Sequence, residues 1–390
     1  MAPDPKPYRL YRGGRVKGKV PAPARPGRVP RAGRGDGASV PDYRGPGALP
    51  RRRRLTRGRL ILLIILVLVL FVIAWGIASW LSFSSGVADA NKRLDPNTKL
   101  ALTHQGGLLF SHSTTVLLLG TDNAQIGGRE GDRHSDSILL LRTDPSHHRL
   151  YYLSIPRDLV VPIPGAGTQK INAAFQVGGP ALAIRTIHDF TSLPINHVVV
   201  VNFADFKDLI NALGGVDVNV PKAIRSNHFD CPYATQARCD QWKGWRFAKG
   251  TQHMNGERAL IYSRIRENLL DPSETDFTRT ARQQAVINAV TSKLTSFSTL
   301  FHMPFSGSSY VKPLTTDLTA GQLLQLGWVK FRANESSSVH CRLGGDFGGG
   351  GTGAPSEDNP ATIAMFLGRS APQAPTGQFD PGCVVGHELQ

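Results

Sequence analysis

Val116-Leu117-Leu118-Leu119-Gly120-Thr121-Asp122 is the stretch on which the fold turns. Its four-residue apolar run carries the signature of a strand buried on both faces. The run breaks at Gly120-Thr121, so the carboxylate of Asp122 stands just past the strand's carboxyl end, the edge at which open α/β sheets bind ligands. A loop of about fourteen residues containing Gly127, Gly128 and Gly131 then delivers Asp136, immediately before a second apolar run, Ile138 to Leu141. If that run returns antiparallel, both carboxylates share one rim. The chain turns at Asp144-Pro145 and climbs again through Leu150 to Ile155, where Pro156 ends the ladder and Arg157-Asp158 project beyond it. An up-down-up path therefore predicts Asp122, Asp136 and Arg157 at one end of a sheet.

Further out, Val198 to Val201 reads as another buried strand, while Pro180 to Phe190, Ala204 to Leu213 and Thr278 to Leu294 have helical periodicity. Gly214 and Gly215 suit the end of the second helix. The class is α/β, with a sheet between helices. Residues 344–358 are Gly-rich and predict a surface loop, and the last forty residues read as an irregular appendage.

Ahead of this domain, Leu60 to Phe83 runs 24 residues without a charge. As a helix it would extend about 36 Å, more than the ~30 Å hydrocarbon core of a bilayer. It predicts a transmembrane helix over residues 60–83, an uncleaved signal anchor rather than a cleaved signal peptide, whose apolar region is shorter. Arg51, Arg52, Arg53, Arg54, Arg57 and Arg59 crowd its N-terminal end, whereas Asp89, Lys92 and Arg93 nearly cancel at the other. The N-terminus is thus expected in the cytoplasm, with the rest extracellular on a single-pass cell-membrane anchor. Trp75 and Trp80 fall toward the outer end, as interfacial aromatics do.

The net charge of +16 is concentrated in the tail: residues 1–59 hold 17 Lys/Arg against 3 Asp, and the remainder 28 against 26. The Pro-, Gly- and Arg-rich residues 1–58 hold too little apolar surface to offset their ordering entropy and are expected to be disordered. Nucleic acid binding by the globular part gains no support from its charge. The division is a basic cytoplasmic tail (1–58), the span (60–83), a linker or stalk (84–112), a catalytic domain (113–300) and a C-terminal extension (301–390). All four cysteines, Cys231, Cys239, Cys341 and Cys383, follow the span, as befits an oxidising compartment. Three pairings are open. The simplest joins Cys231 to Cys239 and Cys341 to Cys383, while a zinc site built on His228, Cys231 and Cys239 is the alternative.

Cationic side chains dominate the remaining motifs. Read as an extended segment, Leu260 to Arg266 sends Arg264 and Arg266 to one face, with Ile261, Ser263 and Ile265 on the other. Two guanidinium groups on one face ask for an anion, and phosphate suits the arginine fork. In the helix that follows, Asp276, Arg279 and Gln283 fall at i, i+3 and i+7 and share a face. Two carboxylates for a divalent cation, four arginines (Arg157, Arg264, Arg266 and Arg279) and Lys170 form a set suited to phosphate or pyrophosphate chemistry.

At these residues the sequence resembles the LytR-CpsA-Psr family of bacterial cell-wall enzymes. The matching stretches are Leu117 to Asp122, Ser135 to Ser137, Ser154 to Asp158, Lys170 to Ala174, Gly214 to Val218, Tyr262 to Arg266 and Asp276 to Gln284, in order and across roughly residues 113–297. The resemblance implies a central mixed β-sheet flanked by helices, preceded by one transmembrane helix. It implies a membrane-anchored phosphotransferase that moves a glycopolymer from a polyprenyl-pyrophosphate carrier to peptidoglycan. Carried over, Asp122 and Asp136 would hold Mg²⁺ (or Mn²⁺), and Arg157, Arg264, Arg266 and Arg279 would be the catalytic cations. Lys170, Asp276, Arg282 and Gln283 would complete the pyrophosphate site. His134, beside Arg133, departs from the family's arginine at that place. A prenyl carrier further needs an apolar tunnel, for which Val198 to Val201, Phe203, Phe206, Leu209, Ile210, Ile287 and Val290 are candidates. The alternatives are an extracellular lipid pyrophosphatase, or a membrane-anchored regulator or anionic-polymer-binding protein without catalysis.

Overall fold

A computed structural model describes residues 56–121, 135–233, 235–265, 267–271, 276–347, 351–377 and 379–386, with the backbone alone at 136, 229 and 276–280. The tail through residue 55 and Asp122 lie outside the described residues. Contacts divide the chain into Met1–Leu60 and Ile61–Gln390, and the second unit holds the sheet and every helix except the first turn of α1.

Along the chain, α1 (Arg57–Lys92) and α2 (Pro96–Ala101) lead into β1 (Thr115–Thr121), β2 (Ser135–Asp144) and β3 (Arg149–Ser154), followed by the hairpin of β4 (Val160–Ile163) and β5 (Gly167–Lys170). Next come α3 (Ala173–Thr191), β6 (His197–Asn202), α4 (Phe203–Ala212), β7 (Val216–Val220) and β8 (Ile224–Arg225). After them stand α5 (Gln236–Asp240), β9 (Arg246–Phe247), β10 (Gly250–Met254) and α6 (Gly256–Arg264). The last third holds α7 (Asp276–Leu294), α8 (Phe297–Val311), β11 (Thr315–Thr316), α9 (Ala320–Arg332) and β12 (Val339–Arg342). It closes with β13 (Gly345–Asp346), β14 (Ala354–Pro355), α10 (Asn359–Phe366) and β15 (Gly382–Val385).

Seven strands form a mixed sheet in the order β11-β6-β1-β2-β3-β12-β15. β1 pairs antiparallel with β2, and β2 with β3, as the up-down-up reading expects, while β6 and β12 join in parallel. Period-2 alternation divides the two faces. Leu117, Leu119, Ile138 and Leu140 pack with Ile184 and Ile187 of α3, whereas Val116, Leu118 and Leu139 face the opposite layer, which includes Leu318 and Val329. Fully burying a leucine contributes about 2 kcal/mol over leaving it exposed. A second apolar core lies among α4, α6, α7 and α8 and takes in Phe83, Val87 and Ala90 of α1.

Helix punctuation follows local chemistry. α3 bends at Gly178-Gly179, directly before Pro180, so the predicted start at Pro180 is the start of its second limb. α4 ends at Gly214 and Gly215, whose φ angles of 75° and 92° allow the Gly215 amide to reach back to the Ile210 carbonyl.

Two expectations are corrected. Residues 260–264 are not extended: Asn255 accepts a hydrogen bond from the Arg258 amide and caps α6, which buries Ala259, Leu260, Tyr262 and Ser263. The alternation argument for Arg264 and Arg266 therefore falls, since Arg264 closes a helix and Arg266 lies outside the described residues. Nor are the last forty residues an irregular appendage. They form α10 and β15, and β15 pairs with β12 as an edge of the main sheet. The Gly-rich segment meanwhile contributes the short β13–β14 pair.

The disulfides are Cys231–Cys239 and Cys341–Cys383. The first consumes the thiolates on which a zinc site would rely, and the second joins paired residues of β12 and β15.

A polar strut crosses the opposite layer. Gln284 of α7, buried, donates through Nε2 to Ser154 Oγ at 2.7 Å, and its Oε1 lies 3.0 Å from His340 Nδ1. The His340 ring stacks on Tyr152. Burial, aided by the nearby Lys330 charge and opposed by Glu335, pulls the His340 imidazole down from 6.5 to about 4. The unfolded chain then takes up a proton at His340 before the folded one does, so this group leaves stability untouched above pH 6.5 and removes it as pH falls toward 4. The melting temperature is expected to be level near neutrality and to decline across that window, the loss from His340 reaching about 3 kcal/mol. Thermal denaturation of His340→Gln against pH should lack this part of the slope; an unchanged slope would assign it elsewhere.

Candidate functional site

The carboxyl ends of β1, β3 and β6 and the start of β2 meet on one edge of the sheet, where Thr121 stands opposite both Ser135 and Asn202. Gly120 pairs with Ser137 and Thr121 with Ser135, which leaves Asp136 as the extra residue of a β-bulge. Bulges redirect a strand and recur beside active sites. Asp122 is the next residue of the sequence after β1. The Ile155 amide donates to the Ile138 carbonyl, so the chain that continues to Arg157 runs beside Ser137 and Asp136.

Arg157, Asp158 and Lys170 form one polar cluster at this edge. Lys170 Nζ lies 2.7 Å from Asp158 Oδ1, and Arg157 Nε 3.3 Å from Asp158 Oδ2. A carboxylate between two cations fixes their positions and leaves one net positive charge on the trio. The β4–β5 hairpin supplies Lys170, with Val160 paired to Lys170 in register.

The second component is a hollow between the sheet and α4, α6 and α7, open on one side, with about 1000 Å³ of empty space when the solvent in its open mouth is included. Its walls are almost entirely apolar. Leu118 and Val199 come from the sheet, Phe206 and Leu209 from α4, Leu260 from α6, Val286, Ile287, Val290 and Leu294 from α7, and Leu314 from the segment before β11. Ser137, Ser263, Arg264 and Gln283 are the main polar members of the lining. The Arg264 guanidinium lies over the Phe203 ring, 4.7 Å from its centroid. Of the proposed tunnel residues, Val199, Val201, Phe203, Phe206, Leu209, Ile287 and Val290 line the hollow. Val198 and Ile210 instead lie fully buried in the two neighbouring cores, and Val200 packs against the first of them.

α7 links polar and apolar ends. Its sequence carries Asp276 and Arg279 in the first turn, then Gln283, Ile287, Val290 and Leu294 down the helix. This descending row was the available signal for Val286 and Leu294, which sequence reasoning missed; Leu118, Leu260 and Leu314 carry no such mark. Arg282 occupies a different setting from Gln283. It is buried, and its Nη2 donates to the Ile265 carbonyl, holding the end of α6 against α7. Among the described residues no cluster of three or more His, Cys, Asp or Glu is placed to hold a metal.

The LytR_cpsA_psr family matches residues 77–341. This chain belongs to that family. Over 267 residues it is 32% identical to the polyisoprenyl-teichoic acid–peptidoglycan teichoic acid transferase TagU of Bacillus cereus, a match covering 68% of this chain and 80% of the relative. The TagU of Bacillus mycoides is 35% identical over 217 residues, 55% of this chain and 64% of its own length. A structure of TagT bound to LIIa-WTA superposes with a TM-score of 0.51 and 28% identity, covering 68% of this chain and 94% of TagT. The mixed sheet between helices is therefore the family's fold.

Arg282 generates a prediction separable from chemistry. Replacing it by Lys retains charge but loses the planar fork, and the Ile265 carbonyl is left short of its donor. The expected cost is of order 1–3 kcal/mol in chemical denaturation. An unaltered midpoint would show that Arg282 does not secure the α6 terminus.

Proposed function

We propose that this chain is a membrane-anchored phosphotransferase that moves a glycopolymer from a polyprenyl-pyrophosphate carrier to peptidoglycan. The observation that carries the reading is the adjoining of an apolar hollow, lined along α7 from Gln283 to Leu294, with a cationic sheet edge. A prenyl chain gains by leaving water for such walls, and its pyrophosphate is held at the polar mouth. The transferase names of the relatives agree with that division of the substrate.

In this reading the acceptor hydroxyl of peptidoglycan attacks the phosphorus that bears the glycopolymer. A new P–O bond forms, the pyrophosphate P–O–P bond breaks, and polyprenyl phosphate leaves with the electron pair while the hydroxyl proton passes to solvent or a base. Arg264 at the mouth, with Arg157, Arg266 and Arg279, stabilises charge that grows on the bridging and leaving oxygens. Lys170 is steadied by Asp158 for the same task, Gln283 orients the phosphates, and Asp276 completes the polar site. Asp122 and Asp136 would hold Mg²⁺ or Mn²⁺, which when bound neutralises phosphate oxygens. Phe203 confines the Arg264 fork by stacking, so that little rotamer freedom is lost when it meets phosphate.

The tail is assigned to the cytoplasm and the catalytic domain to the outside, on the support of the six arginines preceding the apolar helix and of the two disulfides.

The test is release of polyprenyl phosphate, and labelling of peptidoglycan, from a synthetic lipid-pyrophosphate donor by the full chain with Mg²⁺. Arg264→Lys should lose at least about tenfold in turnover, roughly 1.4 kcal/mol, with little change in melting temperature. Val290→Trp, which fills the hollow, should impair long prenyl donors more than short ones. Equal turnover of both donors by Val290→Trp would remove the hollow from the reaction, and release without wall labelling would convert the reading to a pyrophosphatase.

A further inference from the structure

α8 carries no charged residue over its fifteen positions, yet only one of its faces is packed. Thr299, Gly307, Tyr310 and Val311 turn inward and are buried. Phe297, Leu300, Phe301 and Phe305 fall on the outer face, Phe297 at 79% and Phe305 at 84% exposure. The exposed side also carries Ser298, His302 and Ser309, but the stripe of Phe297, Leu300, Phe301 and Phe305 beside them is apolar and, in a water-soluble domain, unaccounted for.

The neighbour of α8 decides what covers it. α8 lies along α1, among the described residues the one helix long and apolar enough to cross a membrane. The Trp75 indole donates to the Phe301 carbonyl at 3.3 Å, and the Ser308 amide to Ser82 Oγ at 3.2 Å. At Gly86 an added Cβ would meet the Ser308 Cα at 2.7 Å, so the two backbones touch through a glycine. From Leu60, about 30 Å of helical rise brings α1 to the neighbourhood of Trp80. Trp75 and Trp80 therefore mark the level where hydrocarbon gives way to headgroups, and Phe301 is bonded at that level. These contacts advance in the same direction along both helices, so α8 runs parallel to α1, and Lys312, exposed past its outer end, stands where an ammonium group reaches phosphate headgroups.

We propose that α8 is a membrane-docking helix whose Phe297, Phe301 and Phe305 enter the lipid leaflet beside α1. The occupant of its outer face is bilayer lipid, because the face continues the lipid-exposed surface of the span. It needs only that α1 crosses a membrane and is independent of the reaction proposed above. If that reaction holds, docking has a use: Leu294 and Leu314, which line the apolar hollow, stand at either end of α8 and bring the hollow close to the leaflet that stores prenyl carriers.

The test uses the full chain in vesicles of phosphatidylcholine and phosphatidylglycerol, with a nitroxide attached at Phe297→Cys, Phe305→Cys or Thr168→Cys. All four native cysteines are in disulfides, so each introduced thiol takes the label alone. Phe297 and Phe305 are almost wholly exposed, and Thr168 in the β4–β5 hairpin is exposed as well, so none of the replacements removes core packing. Labels at 297 and 305 should be several-fold more accessible to oxygen, relative to a water-soluble nickel chelate, than the label at 168. Equal ratios at all three sites would overturn the proposal. So would labels at 297 and 305 shielded from both relaxants, with spin–spin broadening, which would assign the face to a second copy of the chain.

Discussion

Everything in this molecule hangs on β1 being hydrogen-bonded on both sides, parallel to β6 and antiparallel to β2. A strand so placed has no edge in water and must cover both faces with other elements. α3 covers one face of the sheet densely. The other is covered by helices that stand off from it around Leu118 and Val199, and the gap between is the apolar hollow. Core on one side and binding space on the other therefore arise from the same run of leucines, according to which neighbour each faces.

The polar edge depends on the same pairing. Antiparallel return of β2 puts its first residues beside the last of β1, and the bulge at Asp136 forms where the ladder absorbs an extra residue. Gln284 then fastens α7 to Ser154 and His340, so the helix that lines the hollow is also tied to β3 and β12. A buried amide with partners at both ends is costly to misplace, and it restricts α7 to one height against the sheet.

Much of this was legible in residue order. Short β-branched and leucine runs announced β1, β2, β3 and β6, and glycine pairs announced where α4 ends, because strand burial and helix termination are local properties. The segment around Arg264 misled for a physical reason. Leu-Ile-Tyr-Ser-Arg-Ile-Arg alternates well enough for a strand, and the deciding signal, the Asn255 cap, stands five residues upstream of Leu260. The edge strand β15 was illegible because Gly382 to Val385 gains strand conformation only through its pairing with β12, across about forty residues of sequence. Arg282 and Gln283 show the same limit at the site. Neighbours in sequence, they differ in task because one helical step turns the first toward Ile265 and the second toward the hollow.

α1 does not stop where its apolar run stops. Beyond the uncharged stretch it continues to Lys92, and Phe83, Val87 and Ala90 form part of the second core. Anchor and domain are thus one mechanical body with no hinge between them at Phe83. On the function proposed above, the site would then keep a set altitude over the bilayer, and acceptors would be met by sliding in the plane of the membrane rather than by swinging on a tether.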